Sequence, residues 1–215
     1  MTAMGMLFLA GVKIYQFALL LLLAAVTLAS LAVSSPYRLE RLTTFLNPWA
    51  SQFDSGYQLI QSLIAFGRGG WFGVGLGASI QKLFYLPEAH TDFLFAVVAE
   101  EWGLVGALVM MGLFAIVVVR GMKIGNLAEK YDKPFAAYLA YGLTLWIGLQ
   151  AMINIGVNIG VFPTKGLTLP LVSYGGSSLL ASCMAVALLL RIDYETRLSA
   201  YGLTPPSANL LRRKS

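Results

Sequence analysis

The chain has 215 residues, of which 58% are hydrophobic and only 12% charged, with a mean hydropathy of +0.73. Water-soluble domains carry nearer about 25% charged residues, so too little polar surface is available to clothe a soluble fold of this length. The formal net charge of +5 does not point to nucleic acid, because the basic residues stand at the ends of apolar runs, where they act as membrane topology signals.

Residues 1–12 are apolar but shorter than the roughly 20 residues that cross a bilayer. Lys13 follows this stretch, whereas a signal peptide leads with its charge, so the segment reads as the end of a further helix. Full spans are predicted over 14–34, 93–119, 135–161, and 177–190 with its loop-side extension. Lys13, Arg120, Lys123, Lys130, Lys133, Arg191, Arg197, Arg212, Arg213 and Lys214 share one side of these spans, ten of the fifteen basic residues. That side is therefore expected to be cytoplasmic. A basic loop after residue 119 and a disordered cytoplasmic tail over 192–215, with Pro205, Pro206 and a basic end, complete it. A long loop over 36–91, a shorter one over 163–170, and Asp92 then face outward, to the periplasm or exterior. The expected fold is all-α: a polytopic membrane helical bundle forming one membrane domain over 1–215, with about four full spans and a partial one.

Within the outer loop, Phe53, Tyr57, Ile60, Leu63, Ile64 and Phe66 recur at helical spacing among Gln52, Gln58, Gln61 and Ser62, the pattern of an amphipathic helix on the membrane surface. A glycine run follows, Gly67-Arg68-Gly69-Gly70-Trp71-Phe72-Gly73-Val74-Gly75-Leu76-Gly77. Such a run permits tight turns and close packing, and it can also offer N–H groups to phosphate. The dinucleotide fingerprint is excluded because no strand precedes the run.

The single histidine and a carboxylate meet in Leu86-Pro87-Glu88-Ala89-His90-Thr91-Asp92-Phe93, where the polar loop enters an apolar helix. Thr91 or Asp92 can cap that helix. Asp92 can equally act as a general base toward a hydroxyl, with His90 beside it. Glu100 and Glu101 lie about 12 Å deeper, where ionisable groups are costly and turn toward protein or a water-filled cavity. That depth separates them too far from Asp92 for the carboxylate pair of glycosidases, and a structural network with a cation is their expected role. Gln150, Asn154 and Asn158 recur every four residues on the next span, with Gly156 and Gly160 on a neighbouring face. Amide stripes of this kind tie membrane helices together, or else line a substrate path. Cys183, the lone cysteine, lies within an apolar run and forms no intramolecular disulfide.

The stretch from Asn154 through Gly156, Asn158, Gly160, Phe162-Pro163-Thr164-Lys165-Gly166-Leu167-Thr168-Leu169-Pro170 and Ser173-Tyr174-Gly175-Gly176-Ser177-Ser178 resembles the signature of the SEDS family of bacterial cell-wall proteins (FtsW, RodA, SpoVE). Asn47-Pro48-Trp49, Gly56-Tyr57-Gln58, Gln61-Ser62, the glycine run and the Thr91-Asp92-Phe93 motif carry the same resemblance. Lys165-Gly166-Leu167-Thr168-Leu169-Pro170 is closer to the division members than to the elongation ones. The resemblance places the chain in the C-terminal half of a fold of about ten membrane helices, as a fragment or a truncated product.

It implies a peptidoglycan glycosyltransferase that polymerises lipid II, the undecaprenyl-pyrophosphate-linked disaccharide peptide, at the outer face of the bacterial cytoplasmic membrane. Asp92 would be the catalytic residue. Arg68, Lys82, His90 and Lys165, with Ser173, Gly175 and Gly176 of the signature, would meet substrate, and a divalent cation such as Mg or Mn could bridge Asp92 and pyrophosphate. The implied partners are a class B penicillin-binding transpeptidase and other division membrane proteins, at the septum. Two other classes remain open: a flippase for the same lipid, which would depend on Glu100 and Glu101, and a non-catalytic division scaffold.

Overall fold

The computed structural model describes residues 5–6, 13–34, 47–51, 56–82, 86, 90–201 and 203. Among these it is helical: α1 (Ile14–Val33), a short 3₁₀ turn (Pro48–Ser51), α2 (Tyr57–Gly69), α3 (Leu94–Lys130), α4 (Pro134–Asn158) and α5 (Gly176–Ala200). Three of the helices, α3, α4 and α5, are long and apolar enough to cross a membrane. The expected first span forms α1, whose 20 residues reach about 30 Å, the thickness of a bilayer core. The expected disorder around Pro205 and Pro206, and most of the apolar stretch over 1–12, lie outside the described residues.

Helices α3, α4 and α5 pack through small residues. Ala128, Ala137, Ala140 and Ala185 join Tyr141, Ile147, Leu189 and Ile192 in one buried cluster. Gly121 and Gly125 let α4 come so close that an added Cβ would stand 2.1 Å from the Thr144 hydroxyl and 2.3 Å from the Tyr141 ring. This close packing continues past the apolar run, and it corrects the expected basic loop. Arg120, Lys123 and Lys130 lie on the continuing helix α3, and only residues 131–133 connect it to α4, with Pro134 in the first turn of the next helix. The last span is also longer than its apolar run. Paired Arg191–Glu195 at 2.7 Å and Asp193–Arg197 at 2.8 Å extend α5 to Ala200, into the segment expected to be tail. Lys133 Nζ donates to the Glu195 carbonyl and the Ser199 hydroxyl, pinning that extension to the start of α4.

The amphipathic helix forms as α2, but its apolar face meets protein rather than a membrane surface. Leu59, Ile60, Ser62, Ala65 and Gly69 are buried, Ala65 packs with Phe93, Ala96, Val97 and Val157, and Phe66 tilts against Phe95 at 5.7 Å between ring centroids. Gly69 permits this approach, because a Cβ there would fall 1.9 Å from the Ala99 carbonyl oxygen.

Helix α3 is broken at Gly103, with φ 69° and ψ −164°, a conformation essentially confined to glycine. The break removes the helical bonds that Leu104 and Val105 would make to the carbonyls of Glu100 and Glu101. The glycine run replaces both from outside. Leu104 and Val105 N–H groups donate to the carbonyls of Gly70 and Trp71, while Val74 and Gly75 N–H groups donate to those of Glu100 and Glu101. Gly73, at φ +81°, crosses at the closest point, where a Cβ would stand 2.1 Å from the Glu101 oxygen. The run thus serves close packing of backbone on backbone.

Gly103→Ala or Gly73→Ala is expected to destabilise the protein by about 2–4 kcal/mol, combining backbone strain with overlap. Gly67→Ala, within α2 and with nothing within 4 Å of its added Cβ, is expected to be neutral or stabilising by about 0.5–1 kcal/mol. Thermal unfolding in detergent micelles measures the difference.

Candidate active site

Asp92 lies half-buried just before the first turn of α3. The capping position of α3 is Phe93, whose side chain makes no capping bond, rather than Thr91 or Asp92. A helix-end donor is met from another helix: Asn158 Oδ1 accepts the Ala96 N–H at 3.1 Å. Asn158 Nδ2 also donates to the Asp92 carbonyl at 3.0 Å and to the Asn154 carbonyl at 2.9 Å. Asn154 Nδ2 donates to the Asp92 carbonyl at 2.9 Å and to the Leu167 carbonyl. Gln150 Nε2 reaches the Thr168 carbonyl at 3.0 Å. The amide stripe of α4 is therefore a clamp that joins the Asp92 backbone to the loop between α4 and α5.

Gly156 does not bring a second helix close. It accommodates the Phe162 ring of the turn that follows its own helix, where an added Cβ would stand 2.3 Å from the ring. Gly160, at φ +78°, lies near Leu59 and Leu63 of α2, and Ser62 Oγ donates to the Asn158 carbonyl at 2.7 Å.

The loop over 163–175 is folded on itself above the start of α3. Ser173 is buried, and its hydroxyl accepts the Leu169 N–H at 2.9 Å. Thr168 Oγ1 and Ser178 Oγ are bonded at 2.8 Å. The Tyr174 N–H donates to the His90 carbonyl at 2.9 Å. Gly175 takes the capping position of α5, which begins at Gly176. The result brings Gly166 against the carboxylate of Asp92: a Cβ added there would stand 3.2 Å from Asp92 Oδ2. Lys165, the neighbour of Gly166, is exposed, as is His90. Asp92, His90, Lys165 and Ser173 to Gly176 are thus brought together by the fold.

Arg68 and Lys82 belong to a second centre, on Glu100. This carboxylate is fully buried, accepts the Ser79 hydroxyl and, at 3.3 Å, the Ile80 N–H, and lies 3.7 Å from Arg68 Nε. The Ser79 hydroxyl in turn accepts the Lys82 N–H at 3.1 Å. The cation expected beside the glutamates is therefore Arg68, and the network holds the segment over 79–82 that leads toward His90 and Asp92. Glu101 is partly exposed and contributes its carbonyl to the glycine run. Among the described residues no three of His, Cys, Asp and Glu cluster as a metal site.

Sequence reasoning did not single out Ser79, Gly103 or Gly166 as partners of these acidic groups. A glycine two residues after paired glutamates in an apolar helix was the available signal for the break. Gly166 carried none, because its role depends on a loop meeting a different helix.

These features define a multi-pass helical membrane protein with an acidic site at the rim of its bundle. The chain belongs to the FtsW/RodA/SpoVE family, whose model, described as "Cell cycle protein", matches residues 1–198. It is 64% identical over 207 residues to the "Probable peptidoglycan glycosyltransferase FtsW" of Legionella pneumophila, covering 96% of this chain and 52% of that one. The protein of the same name from Coxiella burnetii is 65% identical, covering 91% of this chain and 53% of its own length. The chain thus spans about half the length of the curated relatives it matches. A solved chain from work on the structural coordination of polymerization and crosslinking by a peptidoglycan synthase complex superposes with a TM-score of 0.66. It is 30% identical, and the match covers 89% of this chain and 52% of that one.

Glu100→Ala is expected to cost about 2–4 kcal/mol, because it leaves the Ser79 hydroxyl and Ile80 N–H without a charged acceptor in a buried site. Arg68 is 40% exposed, and Arg68→Ala is expected to cost under about 1 kcal/mol, since water screens the pair and replaces the lost partner. Thermal unfolding of the two variants side by side checks the order.

Proposed function

We propose that this chain carries the catalytic carboxylate of a peptidoglycan glycosyltransferase that polymerises lipid II during septal wall synthesis. The observation that carries the reading is the seat of Asp92: two buried asparagines hold its backbone, and the signature loop meets its carboxylate through Gly166. The names of the relatives and the solved synthase complex support the same reading.

A lipid-linked disaccharide brings its own leaving group, so the site must do two things. Asp92 takes the proton from the attacking sugar hydroxyl as the new C–O bond forms at the donor's anomeric carbon. The anomeric C–O bond breaks, and undecaprenyl pyrophosphate leaves with the electron pair. Cations must meet that developing charge; Lys165, beside Gly166, is best placed, whereas Arg68 is engaged by Glu100. Asp92 is the residue of this site that would hold a Mg or Mn ion; among the described residues no three of His, Cys, Asp and Glu form a cluster for one. When bound, it would supply further charge neutralisation on the pyrophosphate.

Glu100 is fully engaged by Ser79, Ile80 and Arg68, which favours polymerisation over a transport role for this carboxylate. The partner in this reading is a class B penicillin-binding transpeptidase with other division membrane proteins. The site faces outward from the cytoplasmic membrane at the septum, and the C-terminus lies in the cytoplasm.

The test supplies lipid II to membranes containing this chain together with the N-terminal half of the Legionella relative, and measures glycan strands. Strands are expected from the pair, with Asp92→Asn lowering their formation by at least about a hundredfold, the order expected for a general base. Polymer at an undiminished rate in folded Asp92→Asn, or none from a correctly inserted unsubstituted pair, overturns the proposal.

A further inference from the structure

We infer that Asn154 is a positioning residue of this site, setting the spacing between the Asp92 carboxylate and the loop over 164–168. The inference rests on the glycosyltransferase reading of Asp92 and adds a determinant of its rate.

A primary amide has two N–H donors. Asn154 gives them to carbonyls of two segments far apart in the chain, Asp92 at 2.9 Å and Leu167. It is 2% exposed, so water does not stand in for those donors. The two carbonyls differ in what remains when Asn154 is removed. Asp92 keeps Asn158 Nδ2 at 3.0 Å. The Leu167 carbonyl has no other donor among the described residues. Removing Asn154 therefore leaves Asp92 seated at the start of α3 and frees the loop at Leu167, next to Gly166, while Gln150 still holds the neighbouring Thr168 carbonyl.

The residue after the one that abuts Asp92 is Leu167. Gly166 stands so close that even a methyl group would lie 3.2 Å from Oδ2, so a shift of the loop by a fraction of an ångström changes the space in front of the carboxylate. Lys165 moves with it. Asn158 differs in kind, because its Oδ1 also holds the Ala96 N–H; its loss disturbs the helix start itself.

Two substitutions act on this one spacing from opposite sides: Asn154→Ala loosens the loop, and Gly166→Ala crowds the carboxylate. In the paired membranes described above, each is expected to lower kcat by about tenfold or more, as small misplacements do, with KM for lipid II within about twofold. The double variant is expected to be no slower than the slower single variant, because a loosened loop accommodates the added methyl. Losses that multiply, or an unchanged kcat in folded Asn154→Ala, overturn the proposal. If Asn154→Ala does not insert, Asn154→Ser, which keeps one donor, enters the same cycle with the same two outcomes. Asp92→Asn measured alongside separates the two readings. Polymer persisting in that variant overturns the role of Asp92 and this inference with it, whereas its loss beside an unimpaired Asn154→Ala overturns the positioning role alone.

Discussion

Two amide side chains converging on one backbone carbonyl organise the end of this molecule where α3 begins and α4 stops. Asn154 and Asn158, both within the buried part of α4, donate to the Asp92 carbonyl. In an apolar bundle an unmet carbonyl is costly and every hydrogen bond is felt more strongly than in water. The start of α3 is therefore fixed to α4, and the loop that follows α4 is fixed to both. Reactive side chains borne by loops are ordinarily the mobile part of a protein; here the loop is bonded to a helix clamp on one side and to its own serine and threonine hydroxyls on the other.

A second centre lies deeper, around Glu100. Burying a carboxylate demands partners, and they come from earlier in the chain: Ser79 and Ile80 from the segment after the glycine run, and Arg68 from the end of α2. The two centres share α3 between them. The clamp holds its first turn, and the carboxylate holds the segment over 79–82. The apolar faces of α3 and α5 remain largely exposed in this chain, as suits helices meeting lipid or other membrane helices.

Much of this was legible in the residues. Long apolar runs and the distribution of Lys and Arg predict the spans, and the motif around Asp92, with the stretch after Asn154, points to the family. The amide spacing predicts a helix tie, which the clamp realises. The ends of α3 and α5 were not legible from hydropathy, because a helix continues for as long as small residues and i,i+4 ion pairs support it, whatever its polarity. Nor was the partner of α2's apolar face. An amphipathic pattern reports that a face is covered and says nothing of whether lipid or protein covers it. The contact of Gly166 with Asp92 depends on tertiary structure alone, and the reason for the glycine run became visible only with the break it fills.

That break has a mechanical meaning. Where α3 is interrupted at Gly103, four backbone bonds run between the helix and the chain over 70–75, in place of the two the helix would have made with itself. Four bonds must break together for the two to part, so the glycine run and the turns of α3 around Gly103 travel as one piece. Any force applied to the chain just beyond α2 is consequently delivered, without slack, to the turns of α3 on either side of Gly103.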